Sequence, residues 1–142
     1  MDGGRDVHPG LAAAMSVAGP VAAQEIAWAG GEMPLRVCAY LTTPVLPLEL
    51  VSSVRCIVWV GDRLVFCENE DGSHPWPGGR RLEGESYADT AAREVHEETG
   101  WRIDRASLRQ LGWLRLTHRG PKPPANTGPF PDFLQLIFVA PL

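Results

Sequence analysis

The sequence predicts a single α/β domain, and three observations carry that prediction. The run Val54 to Val60 is β-prone and apolar on both faces, with Val54, Cys56, Val58 and Val60 on one and Ile57 and Trp59 on the other. A strand of that kind is usually covered on both sides. Ser86 to Thr99 has helix signals at both ends: Ser86 and Asp89 make a capping-box pattern, and Gly100 suits the position after the last turn. Further β-prone runs flank that helix, at Leu35 to Tyr40 before it and at Leu108 to Thr117 and Phe133 to Val139 after it. A length of 142 residues suits one domain whose core needs neither disulfide nor metal staples.

Residues 1–33 are rich in Gly and Ala with little periodic pattern. They read as a flexible or partly ordered leader with one short helix around Leu11 to Val17, and residues 34–142 as the domain. Leu11 to Ala23 loosely resembles the apolar stretch of a signal peptide. Arg5 is the only cation before it, though, set against Asp2 and Asp6, and Pro20 interrupts the run. No run reaches the roughly 18 apolar residues that span a bilayer. After the strand Leu35 to Tyr40, Pro44 and Pro47 break the chain.

Val54 to Val60 and Arg63 to Cys67 are joined by Gly61-Asp62, a two-residue hairpin signal. That register sets Val60 opposite Arg63 and Cys56 opposite Cys67. The three cysteines, Cys38, Cys56 and Cys67, have no zinc spacing, and free thiols in a reducing, cytoplasmic compartment are expected. Glu68 to Arg81 is turn-rich, with Pro75, Pro77, Gly78 and Gly79. Thr117 to Pro131 is a Pro-rich loop before the final strand. A formal net charge of −4 gives no global basic field, so neither specific nucleic acid nor membrane is an expected partner.

The helix holds the chemistry. At about 100° per residue, Glu94, Glu97 and Glu98 fall within one arc of roughly 100°. Ala88, Ala91, Ala92, Val95 and Thr99 occupy the neighbouring arc. One stripe therefore packs on a sheet while the adjacent stripe gathers three carboxylates. Like charges this close raise one another's pKa unless a cation neutralises them. Hard carboxylate oxygens suit Mg²⁺ or Mn²⁺. Arg93 can pair with Glu97 one turn on, but one arginine cannot offset three glutamates. Taken without its context, the run reads first as a solvated acidic face.

The context is specific. Gly79 is followed after five residues by Glu85, and after seven more by Arg93-Glu94-Val95-His96-Glu97-Glu98-Thr99-Gly100-Trp101. This resembles the Nudix signature GX5EX7REUXEEXGU at every fixed position, an accident expected in about one sequence of this length per million. Trp76-Pro77-Gly78-Gly79 resembles the family's Pro-Gly-Gly approach to it, while Leu82 stands where many members carry a further glutamate.

The resemblance implies an α/β/α sandwich around a mixed sheet, and a metal-dependent pyrophosphohydrolase. Its substrate would be a small molecule: a nucleoside diphosphate linked to another moiety, or a nucleoside triphosphate, attacked by water at phosphorus. It implies Mg²⁺ or Mn²⁺ held by Glu94, Glu97 and Glu98 with the Gly79 carbonyl, and Arg93 tying down Glu85. The general base stays open among Glu98, Glu97 and a carboxylate outside the helix. Asp132 is the best external candidate, ahead of Glu68, Glu70 and Asp71, and it also reads as a plain turn residue after Pro131. A catalytically silent ligand-sensing module is the alternative function, which an intact carboxylate set argues against.

His118, Arg119 and Lys122 are candidates for contacting phosphate or ribose from the Pro-rich loop, and Trp76 and Phe130 for stacking on a base; solvated-loop and packing roles are open for each. His96 points away from the carboxylate arc. The family's sheet is normally covered by this helix on one side and a C-terminal helix on the other, yet the sequence given stops three residues after Val139. The second face is therefore expected to be covered by the leader or, preferentially, by a second copy in a homodimer, the alternative being that the natural C-terminus with its usual helix is lacking.

Overall fold

The computed structural model describes residues 7–68 and 75–142. Two helices, α1 (Pro9–Met15) and α2 (Tyr87–Thr99), accompany seven strands: β1 (Ala22–Trp28), β2 (Met33–Tyr40), β3 (Val51–Val60), β4 (Arg63–Leu64), β5 (Gly78–Gly79), β6 (Arg109–His118) and β7 (Asp132–Pro141). They form one sheet in the order β1-β2-β6-β7-β3-β4, with β5 pairing on β3. The β3–β7 pair is parallel and the other pairs are antiparallel, so the sheet is mixed and the α/β class holds.

The main core fills the face on which both helices lie. Val54, Cys56 and Val58 of β3 pack with Ala91 and Val95 of α2; Leu134, Leu136 and Ala140 of β7 join the same cluster, as do Leu11 and Ala14 of α1. Each is buried because strand side chains alternate, and these positions share one parity. The other parity gives a smaller cluster of Leu35, Leu116 and Phe133, with Ile26 and Val37 against it. β3 is thus apolar on both faces as expected, with Ile57 and Trp59 half-buried on the second.

The leader supplies two elements. Pro9 stands in the first turn of α1, and the His8 ring accepts the Gly10 N–H at 3.0 Å, so the helix begins earlier than Leu11. β1 pairs along its whole length with β2, from Ala22↔Ala39 to Trp28↔Met33. Nearly all its residues are exposed, so no burial pattern marks it in the sequence. The turn between them has positive φ at Ala29, Gly30 and Gly31 (52°, 66° and 96°), and the two glycines make that run accessible.

The hairpin turns at Gly61-Asp62 with Val60 opposite Arg63, as expected, but its second strand ends at Leu64 rather than Cys67. The reason is competition for the edge of β3. The Cys56 N–H goes to the Pro77 carbonyl at 2.8 Å, because the Trp76–Gly79 segment pairs there. Cys67 is turned aside, its N–H bonding the Pro75 carbonyl at 2.7 Å. Cys56 and Cys67 therefore do not face each other, and all three cysteines are free. His118 also departs from its expected place in the loop: it closes β6, opposite Leu35, with its N–H on the Pro131 carbonyl at 2.9 Å.

Candidate active site

The helix α2 is fixed locally before it is packed. Ser86 Oγ accepts the Asp89 N–H and Asp89 Oδ2 accepts the Ser86 N–H, both at 3.0 Å, closing the capping box. Gly100 ends the helix at φ 78°. Thr90, Ala91 and Val95 are the buried stripe, which sets the rotation of α2 and brings Glu94 and Glu98 over β5. The close approach needs both glycines of β5. A Cβ at Gly78 would strike the Val54 carbonyl, and one at Gly79 would strike the Glu94 carboxylate.

Arg93 knits this assembly together. Its Nε and Nη2 donate to the two Glu85 oxygens at 2.8 and 3.0 Å, Nη1 donates to Glu94 at 2.9 Å and Glu97 at 3.2 Å, and Nη2 also reaches the Arg80 carbonyl at 3.0 Å. The guanidinium, helped by the Leu82 N–H, holds the Glu85 carboxyl down at about 2. Burial raises the Glu94 carboxyl from its ordinary value, against the pull of Arg93. Glu98 accepts the Gly78 N–H at 3.2 Å and has the Cys67 thiol at 3.8 Å. Glu94, Glu97 and Glu98 thus stand on one flank of α2, two of them against the Gly78-Gly79 backbone.

Among the described residues no three of His, Cys, Asp and Glu converge into a preformed metal cage. The donor set nonetheless fits a hard divalent ion. Three carboxylates stand beside a backbone that has no Cβ in the way, and among the described residues only Arg93 bonds Glu94 and Glu97. Those two carboxylates would exchange an Nη1 contact for the ion.

The rim of β5 opens onto the sheet face away from the helices, where a cleft with two lobes lies. One lobe, about 460 Å³, is lined by Gly79, Arg80, Ser53, His118 and Asn126. The other, about 680 Å³, is walled by Trp28 and Trp76. Trp28, Arg55 and Gln135 line both. A second hollow of about 680 Å³, between Asp89, Arg93 and His96 of α2 and the Arg102 and Arg105 that follow it, also touches Glu85 but includes none of Glu94, Glu97 and Glu98.

The remaining sequence candidates are placed as follows. Trp76 packs on Phe66 with ring centroids 4.7 Å apart, on the cleft wall. His118 is buried between Phe130 and Phe133, at 5.0 and 5.4 Å, and burial lowers its pKa. Arg119 is exposed, 3.7 Å from Glu25, and Lys122 and Glu68 are exposed. Glu70 and Asp71 lie outside the described residues. Asp132 is buried and held by Arg115 at 2.9 Å and Thr117 at 2.7 Å. It shares strand parity with Leu134, and Arg115 also meets Met15 of α1, so Asp132 sits on the helix-bearing face. Arg55, Gln135 and Trp28 were not singled out in the sequence. The available signal was a charge at Arg55 inside an otherwise apolar strand.

A glycine-backed, arginine-braced acidic helix on the rim of a mixed sheet defines a class of protein built to gather carboxylates beside a cleft. The NUDIX domain model matches residues 49–142, and the chain belongs to the Nudix family. A mutant form of the Bacillus subtilis pyrophosphohydrolase BsRppH shares the fold, with a TM-score of 0.60 at 23% identity over 83% of this chain. This chain covers 65% of that structure, just under two thirds of its length. A MutT protein from Bacillus halodurans (TM-score 0.43, 23% identity, 63% of this chain and 55% of that one) and a MutT/nudix family protein from Enterococcus faecalis (0.40, 21%, 70% and 40%) are also similar. No curated protein matches the chain. Among the described residues no helix is long and apolar enough to cross a membrane.

Proposed function

We propose that this chain is a Mg²⁺- or Mn²⁺-dependent pyrophosphohydrolase. Its substrate is a nucleoside diphosphate linked to another moiety or a nucleoside triphosphate, with water attacking phosphorus. The observation that carries this reading is the placement of Glu94 and Glu98 against Gly78-Gly79 at the mouth of the cleft, with Arg93 bracing Glu85, Glu94 and Glu97. The match to a pyrophosphohydrolase fold supports it.

Glu94, Glu97 and Glu98, with the Gly79 carbonyl, would hold the ion. When bound, it supplies charge neutralisation at the phosphates and a lowered pKa for a coordinated water. The chain's own groups do the positioning. Arg93 fixes the carboxylates as an outer shell fixes ligands. Trp76 and Trp28 offer apolar walls to a planar group, and His118 lines the polar lobe, whereas Arg119 is turned to Glu25. Glu98 is favoured as the base over Glu97, which Arg93 holds, and over Asp132, which Arg115 and Thr117 hold.

The test is a panel of nucleotide sugars, ADP-ribose, dinucleotides, dinucleoside polyphosphates and (d)NTPs with Mg²⁺ or Mn²⁺, with products identified. Glu98→Gln and Glu97→Gln should cut turnover by about 10²–10⁴ while leaving the melting temperature in place. Wild-type turnover of no panel member would favour the ligand-sensing module instead. We also propose a cytoplasmic homodimer, supported by the free thiols and by Leu41, Val45 and Leu48, apolar and exposed along one segment. A monomer in light scattering would remove the second half of that statement.

A further inference from the structure

We propose that Arg55 anchors the substrate's diphosphate at the point where the two lobes of the cleft meet, an assignment that rests on the hydrolase reading above. Arg55 lies mid-strand in β3, with its side chain on the face away from the helices, and it lines both lobes. Its Nη1 is fully buried and has no hydrogen-bond partner among the described residues. The carboxylates facing it, Glu98 and Glu94, pull on it electrostatically, but among the described residues no ion pair joins them. Burial lowers its pKa, yet a guanidinium stays protonated at any working pH.

Leaving a buried donor unpaired opposes folding, and Nη1 is such a donor. Nothing in the packing calls for it: along that face of β3 its neighbours are Ser53, whose Oγ is itself without a partner among the described residues, and the apolar Ile57. An anion in the cleft would satisfy the group. The planar fork of a guanidinium matches two phosphate oxygens at once. Gly78 clears the way, because a Cβ there would strike the Arg55 side chain. The position suits the reaction, because an anion on Arg55 lies beside the carboxylates that would hold the metal. It also leaves one lobe on either side, about 460 and 680 Å³, so a diphosphate substituted at both ends fits the cleft best.

Two variants and two readouts test this. Arg55→Met should raise KM by about tenfold or more, Arg55→Lys by less, on whichever panel compound the wild type hydrolyses. Methylenediphosphonate with Mg²⁺ should raise the melting temperature of the wild type, raise that of Arg55→Lys by less, and leave Arg55→Met unmoved. Without ligand, Arg55→Met should melt at or above the wild type, because it removes an unpaired buried donor. The proposal is overturned by unchanged KM, by an equal methylenediphosphonate shift in Arg55→Met, or by no shift in the wild type. An Arg55→Met protein that melts well below the wild type or fails to fold would make Arg55 structural and overturn it as well. If the wild type hydrolyses nothing on the panel while the shift still depends on Arg55, the hydrolase reading fails and the anchor stands.

Discussion

Leu134 and Gln135 are neighbours on β7, yet they belong to different parts of the protein. Leu134 is 0% exposed and joins the cluster beneath the two helices. Gln135 is 9% exposed and lines both lobes of the cleft with Arg55 and Trp28. The same alternation runs along β3, where Val54 and Cys56 pack on α2 while Ser53 and Arg55 face the cleft. Ser53 Oγ and Arg55 Nη1 are buried without a partner among the described residues. The helix-bearing face is mostly apolar and closely packed, its buried Asp132 held by Arg115 and Thr117, with Gln110 Nε2 the one side-chain donor there that lacks a partner among the described residues. The other keeps polar groups at a cost in stability, as expected where a ligand is to complete them.

That contrast is open to attack by mutation. The largest effect belongs to the rim: Glu98→Gln should lower turnover by orders of magnitude with little change in melting. Next, Leu134→Ala should cost about 2–5 kcal/mol of stability, read by denaturant unfolding. Its neighbour should behave in the opposite way. Gln135→Leu should shift stability by about 1 kcal/mol or less and show itself in KM. Equal stability losses at both positions would abolish the distinction between the faces. Ser86→Ala, which removes one half of the capping box, should cost about 1 kcal/mol.

The smallest effect is one of pH. The folded-state pKa of Glu85, about 2, lies below its unperturbed 4.5. Its contact with Arg93 therefore stabilises fully above about pH 4.5 and is lost as pH falls toward 2. Glu85→Gln should flatten the acid limb of the melting profile in that window. A limb unchanged by the substitution would mean that Arg93 does not hold Glu85 in solution.

How much the sequence tells depends on whether the determinants are local. α2 and its carboxylate flank are legible because the Ser86–Asp89 cap, Gly100 and the spacing from Gly79 to Glu98 all lie within one segment. β1 is not, because its residues are exposed and only pairing with β2 makes it a strand. The pairing of β4 gives out before Cys67 because the segment of β5, arriving from farther along the chain, takes the Cys56 N–H that local propensity assigns to Cys67, while Val65 still bonds the Val58 carbonyl. Asp132 is legible as a residue beside the last strand, but its face is decided by register: parity with Leu134 sends it toward Arg115 and α1. Arg55 is visible as a charge in an apolar strand, and acquires a direction only when Gly78, Gln135 and the two tryptophans are set around it.

The central claim is that the carboxylate flank of α2 holds a divalent ion at the mouth of the cleft. Mn²⁺ binding followed by electron paramagnetic resonance, in parallel with turnover of the best panel compound, tests it most directly. The wild type should bind Mn²⁺, Glu94→Gln and Glu98→Gln should bind it about tenfold more weakly or worse, and turnover should fall with bound ion and return when Mg²⁺ or Mn²⁺ is restored. Equal Mn²⁺ binding by all three proteins, or full wild-type turnover in excess EDTA, would contradict the account.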